Sequence, residues 1–376
     1  MIKNIPSFLE IWLSKYEQAS YNLGESGVAN QSVGDLIQLL DDPEELYRVS
    51  LANNDTYGSL ELRKAISTLY DGVDPESILV TAGTTEAILI YFHVRYTAGA
   101  NVVVFVPAFH ILPEVPEFLG YEVRKIPLRP ENNFRPDLEE LTKTVDERTK
   151  VIVLNTPHNP TGIVFSNEEV QAILVLAQKH GADVLADEHY RFIPHTDTPS
   201  ILPSLYGKSP QVIALGSPGK CFGCIGLRIG WLIGSKEIVC ACHDFKDYTT
   251  HTVCSLNDLL ARTVLLNWQK ILPKYQTWVT SNVAQFRQFV ERQSDHVGWI
   301  EPEAGTVILP FLKDSTLGSE AFFRELVEDT GVLVLAGEAF DMPGYFRVGL
   351  GVEPKFFKTA LERFSQFLAK KNRVII

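Results

Sequence analysis

The residues best suited to chemistry are a lysine set among glycines and an arginine eight positions later, in Gly216-Ser-Pro-Gly-Lys220-Cys-Phe-Gly-Cys-Ile-Gly-Leu-Arg228-Ile-Gly-Trp231. A lysine that forms an imine must meet its carbonyl partner with little hydration, because the neutral amine is the nucleophile and water favours the ammonium. Glycines at 216, 219, 223 and 226 let backbone approach closely. Ser217 supplies a hydroxyl and Arg228 a rigid guanidinium fork, the pair expected where a phosphate is gripped. A surface loop with one exposed lysine is the alternative. The flanking apolar runs, Val212 to Leu215 and Ile229 to Ile233, favour a buried turn at a strand end.

Other polar motifs sit where strands end. Ile78 to Ala82 reads as a strand, and Gly83-Thr84-Thr85 opens an apolar helix whose free N–H groups and positive dipole end suit an anion. Thr84 is equally suited to a plain helix cap. Asn101 to Val106 leads into Pro107-Ala-Phe109-His110, and Val151 to Leu154 into Asn155-Thr-Pro-His158-Asn159-Pro-Thr-Gly162. Val184 to Ala186 ends at Asp187, followed by Tyr190; a carboxylate buried there requires a cation. Strands alternating with helices from about 75 to 245 predict a mainly parallel sheet covered on both faces, with ligand groups at strand ends.

In this order the motifs resemble the fold type I pyridoxal phosphate enzymes of the aminotransferase class I and II superfamily, over nearly the whole chain. The resemblance implies an α/β fold: residues 1–45 as an N-terminal arm and part of a small domain, 46–285 as a large cofactor-binding domain with a mainly parallel sheet, and 286–376 as a smaller α/β C-terminal domain. It implies pyridoxal 5'-phosphate held covalently by Lys220. Gly83, Thr84, Thr85, Ser217 and Arg228 surround its phosphate, Phe109 stacks on its ring, Asn159 and Tyr190 reach its 3-oxygen, and Asp187 pairs with the ring nitrogen. Tyr57, in Asp55-Thr-Tyr57-Gly58 before a helix over Leu60 to Tyr70, reaches the phosphate of a partner subunit, which implies a homodimer with shared active sites. Arg347, in the predicted strand Phe346 to Gly349, binds the substrate carboxylate with backbone near Gly27.

The 376 residues allow a large core, and the net charge of 34 basic minus 46 acidic groups, −12, comes without any basic block. Nucleic acid and anionic membrane are therefore not expected partners. Lys3, Glu10, Lys15 and Glu17 interrupt the opening apolar residues, and the apolar runs are short, so a cytoplasmic protein without a leader or membrane span is expected. Five cysteines, at 221, 224, 240, 242 and 254, match neither a disulfide framework nor paired metal-binding motifs and read as small buried hydrophobes without a metal.

A narrower resemblance rests on Leu9-Glu10-x-Trp12, Gly24-x-Ser26-Gly27-Val28, Pro107-Ala-Phe-His110 and Asn155-x-Pro-His-Asn-Pro160. These are similar to cyclases of hydroxylated arginine, which lose water and close a ring to cyclic guanidino amino acids such as capreomycidine and enduracididine. A γ-hydroxy substrate is preferred over a β-hydroxy one. A guanidinium needs acidic partners, with Glu10 favoured over Glu25, and His110 and His158 are candidates to protonate the departing hydroxyl. Asp187-Glu-His-Tyr190 departs from these cyclases towards an ordinary aminotransferase, which leaves transamination of arginine or another amino acid as the alternative.

Overall fold

In the computed structural model residues 7–196, 200–313 and 319–374 are described; Lys3 and the start of the arm lie outside them. Seven strands form the main sheet: β1 (Ile78–Thr81), β2 (Asn101–Val106), β3 (Glu122–Pro127), β4 (Thr149–Asn155), β5 (Asp183–Asp187), β6 (Val212–Gly216) and β7 (Gly230–Ile233). Their order is β1-β7-β6-β5-β4-β2-β3. Only β7 runs against its neighbours; the other adjacent pairs are parallel.

Continuous β-branched runs suit a sheet whose two faces are both covered. Val103, Phe105, Ile152 and Leu154 point to one face and join a core with helices Asn167–His180 and Trp268–Arg292. Val102, Val104, Val151 and Val153 point to the other and pack with helix Thr84–Arg95. The two-residue period along each strand thus supplies both cores at once. Parallel strands deliver their C-terminal ends, and the polar motifs that follow, to one edge.

The C-terminal part carries a small sheet in which Phe346–Gly349 lies between Val307–Ile308 and Leu335–Ala336. Residues 332 to 336, one apolar run, form two short strands. Val332–Leu333 pairs with Tyr21–Asn22, while Leu335–Ala336 pairs with Phe346 and Arg347. Between them the Val334 carbonyl accepts a hydrogen bond from Trp12 Nε1 at 2.8 Å, so the chain changes partners there. The expected helix from Leu60 stops at Ser67 and continues as a turn.

These pairings bring the N-terminal arm, with helix Phe8–Lys15, against the C-terminal part and carry residues 23–29 to the Lys220 turn. Val28 N–H donates to the Lys220 carbonyl at 2.8 Å, and Gly349 N–H to the Leu23 carbonyl at 2.7 Å. A Cβ at Gly349 would lie 2.1 Å from the Glu25 carbonyl oxygen, so this crossing requires glycine.

Cys221, Cys224 and Cys242 are buried as expected, but Cys240 and Cys254 are exposed, one on an outer helix face and the other at a helix start. Among the described residues no helix is long and apolar enough to cross a membrane.

Candidate active site

Lys220 lies four residues beyond β6, and its Nζ donates to Ser26 Oγ at 2.9 Å. Burial lowers its pKa from 10.5 to about 8, and the nearby Arg347 charge adds to the effect against opposition from Glu25 and Asp187. The amine is therefore more readily neutral than an ordinary lysine, as imine formation requires. Of the glycines around it, Gly216 leaves room for the Trp231 indole and Gly223 for the Ala29 carbonyl, whereas Gly226 faces open space.

The pocket around this amine has an anion cup at one end, lined by Gly83, Thr84, Thr85, Ser217 and Arg228. Gly83 has φ +82°, and a Cβ there would sit 2.7 Å from Arg228 Nη2. The first amides of helix Thr84–Arg95 open here without intrahelical acceptors. Arg228 is exposed and donates within the protein to the Ile225 carbonyl at 3.2 Å, which leaves guanidinium N–H groups for a ligand.

Phe109, Asn159, Asp187, His189 and Tyr190 line the rest of the pocket floor and wall, with Ile88, Ile225 and Ile229 among them. Asp187 ends β5. Burial acts to raise its pKa, but its pairing and hydrogen bonds with His189 outweigh that and hold the carboxyl below its usual range. Asn159 is fixed by its N–H to Asn155 Oδ1 at 2.7 Å, and its Oδ1 accepts from Arg347 Nη1 at 3.2 Å. Burial raises the Tyr190 pKa, so its phenol stays a neutral donor. A lysine amine, an anion cup, an aromatic face, a carboxylate and neutral donors form the set that a phosphorylated pyridine aldehyde requires. The residues fit pyridoxal phosphate.

Arg347 lies behind this lining and is 2% exposed. Besides Asn159 it donates from Nη2 to the Gly24 carbonyl at 2.7 Å, while its buried Nε has no hydrogen bond. The arm residue in direct contact with it is thus Gly24; Gly27 packs on the Lys220 backbone instead. Glu10, on helix Phe8–Lys15, lines the pocket, and Glu25 does not. Tyr57 lies outside this pocket, stacked on His243 with ring centres 3.8 Å apart.

The two histidines offered as proton donors are corrected by their surroundings. His158 does not line the pocket; burial lowers its pKa to about 3, and Nδ1 is 2.8 Å from Thr161 Oγ1, so it is a neutral core residue. His110 also lies outside the lining, and burial lowers its pKa. Ser26 and His189 also belong to the site, although no motif in the sequence gives either a role there. Ser26 stood within a quoted motif, and His189 stood at the departure noted in Asp187-Glu-His-Tyr190, but neither residue type in a loop implies a pocket by itself.

Residues 50–364 match the family model of aminotransferase class I and II. Capreomycidine synthase from Streptomyces vinaceus is 27% identical over 97% of this chain and 94% of its own. A PLP-dependent aminotransferase from Streptococcus suis superposes with a TM-score of 0.92 at 30% identity, covering 98% of this chain and 99% of its own. The PLP-dependent cyclase OrfR superposes with the same TM-score at 27% identity, covering 99% of both chains.

Proposed function

We propose that this chain, which belongs to the aminotransferase class I and II family and is a pyridoxal phosphate-dependent enzyme, dehydrates and cyclises a hydroxylated L-arginine to a cyclic guanidino amino acid. The observation that carries the reading is the full-length likeness to capreomycidine synthase and to the cyclase OrfR, covering the arm that brings Glu10 to the pocket. A γ-hydroxy substrate and an enduracididine-type ring are preferred over the β-hydroxy, capreomycidine-type pair.

When bound, the cofactor supplies an electrophilic carbonyl and a sink for negative charge at the substrate α-carbon. Lys220 holds it and, once displaced by the substrate amine, takes the α-proton; its lowered pKa suits that task. Ser26 holds the displaced amine. Arg347 receives the substrate carboxylate and Glu10 the guanidinium. The side-chain hydroxyl departs and a guanidine nitrogen bonds to a side-chain carbon. The hydroxyl and the hydrogen lost from that nitrogen together make the water released, so no amino acceptor is consumed. In the same reading Tyr57 serves the phosphate of a second copy in a homodimer, and the chain divides near residues 45 and 285.

Transamination is the second reading, favoured by Tyr190 and by the likeness to the Streptococcus suis aminotransferase. The test incubates the protein with L-arginine and its β- and γ-hydroxy derivatives without a keto acid, following cofactor absorbance and product mass. A product lighter by one water supports the cyclase and identifies the hydroxyl position. A keto acid formed in proportion to enzyme, with no dehydrated product, leaves the aminotransferase.

A further inference from the structure

The turn after β5 holds a histidine to which the proposed chemistry gives no task. His189 is buried, lines the pocket and is engaged at both ring nitrogens: Nδ1 pairs with Asp187 Oδ1, and Nε2 lies 2.9 Å from Thr84 Oγ1. Its main chain is held as well. The N–H donates to Asp187 Oδ1 at 3.3 Å, and the carbonyl accepts from the Cys221 thiol at 3.2 Å.

The hydrogen count of this chain of groups is restrictive. An ionised carboxylate only accepts, so His189 Nδ1 carries a hydrogen. The Thr84 hydroxyl has a single hydrogen. With the anion cup empty, that hydrogen can go to Nε2 and the imidazole is neutral. A phosphate oxygen also only accepts. Once Thr84 donates to a phosphate, Nε2 must itself donate to Thr84 Oγ1 to keep the bond, and an imidazole donating from both nitrogens is a cation. That cation faces the Asp187 carboxylate. The other groups around it are the Cys221 thiol on its carbonyl and, lining the same pocket, Lys220, Tyr190 and Arg228.

We infer that His189 is a positioning residue that couples the anion cup at Thr84 to the carboxylate at Asp187, so that the two ends of the cofactor pocket respond to one another. Its position between helix Thr84–Arg95 and the end of β5 gives it this role through hydrogen bonds to Thr84 and Asp187. The inference rests on the cofactor pocket and not on the cyclase reading, so cofactor binding alone tests it, whichever reaction the enzyme performs.

The experiment measures pyridoxal phosphate dissociation constants for Asp187→Asn, Thr84→Val and the double variant, first with His189 present and then in a His189→Val background. With His189 the two losses are expected to depart from additivity by about fivefold or more, and without it to combine within about twofold. Additive losses with His189 present overturn the inference. So does a departure of equal size in both backgrounds, because the coupling then runs through the cofactor itself. Circular dichroism and thermal melting check each fold. Should His189→Val not fold, His189→Asn keeps a donor for Asp187 but is too short to reach Thr84, and the same comparison applies.

Discussion

The anion cup and pocket floor differ in construction from the mouth end, where Glu10 and Ser26 line the pocket and Arg347 lies behind them. Asp187 ends a strand of one sheet, Thr84, Thr85, Asn159, Ser217 and Lys220 each follow one within a few residues, and the parallel register carries them to a common edge. The mouth is assembled from the two ends of the chain: the Arg347 bond to the Gly24 carbonyl spans 323 positions. It depends on the Trp12 bond to Val334 and on pairing of Tyr21–Asn22 with Val332–Leu333. A site with one end on a rigid sheet and the other on a docked arm can keep its cofactor while its substrate preference changes.

Substitutions at the two ends should therefore give separable effects. The largest is expected from Lys220→Ala, which removes both anchor and base. Turnover should fall by at least about 10³-fold, measured as product formation, and the absorbance of lysine-bound cofactor should disappear. Next comes Arg347→Lys at the mouth. Losing the planar fork from a buried site should raise KM for substrate about 10- to 100-fold, as expected for hydrogen bonds to a charged group. Cofactor affinity should hold within about threefold; a parallel loss of cofactor would break the division between the ends.

The pH dependence sharpens the same contrast. Lys220 titrates near 8 in the folded protein and at 10.5 otherwise, and the neutral amine is the base. The rate of α-proton removal should thus rise about tenfold per pH unit up to about 8 and level off above it. Stability follows the same linkage: between pH 8 and 10.5 the unfolded chain binds a proton that the native lysine has released, so stability of the cofactor-free protein should climb with pH across that window. Urea unfolding of Lys220→Met should lack that climb. The smallest effect belongs to Glu10→Gln. Glu10 is exposed, so KM for guanidino substrates should rise only about two- to fivefold, with no change for amino acids that lack a guanidine; an equal change for both would remove Glu10 from substrate recognition.

Much of the sheet was legible because most of its strands are unbroken apolar runs ended by glycine, proline or a polar motif, as at Val151 to Asn155, the edge strand Glu122–Pro127 being the exception. The cofactor end was legible for the same reason: Asp187, Asn159 and Ser217 need only their own strand to be placed. The break between the two strands from Val332 to Ala336 is not visible in their continuous apolar run, because the switch of partner coincides with a bond from Trp12, more than 300 residues away. His158 and His110 looked reactive beside polar motifs, and only packing showed that burial lowers their pKa. Ser26 and His189 became site residues through contacts with Lys220, Asp187 and Thr84 that their own neighbourhoods do not announce.

By itself the sequence determined the parallel α/β sheet and the amine, anion cup and carboxylate at its edge, because the period of two and the residues ending each strand act locally. The tertiary structure decided how the arm closes the mouth, which histidine is a neutral core residue and which one bridges the pocket, because burial and hydrogen-bond partners there come from segments far apart in the chain.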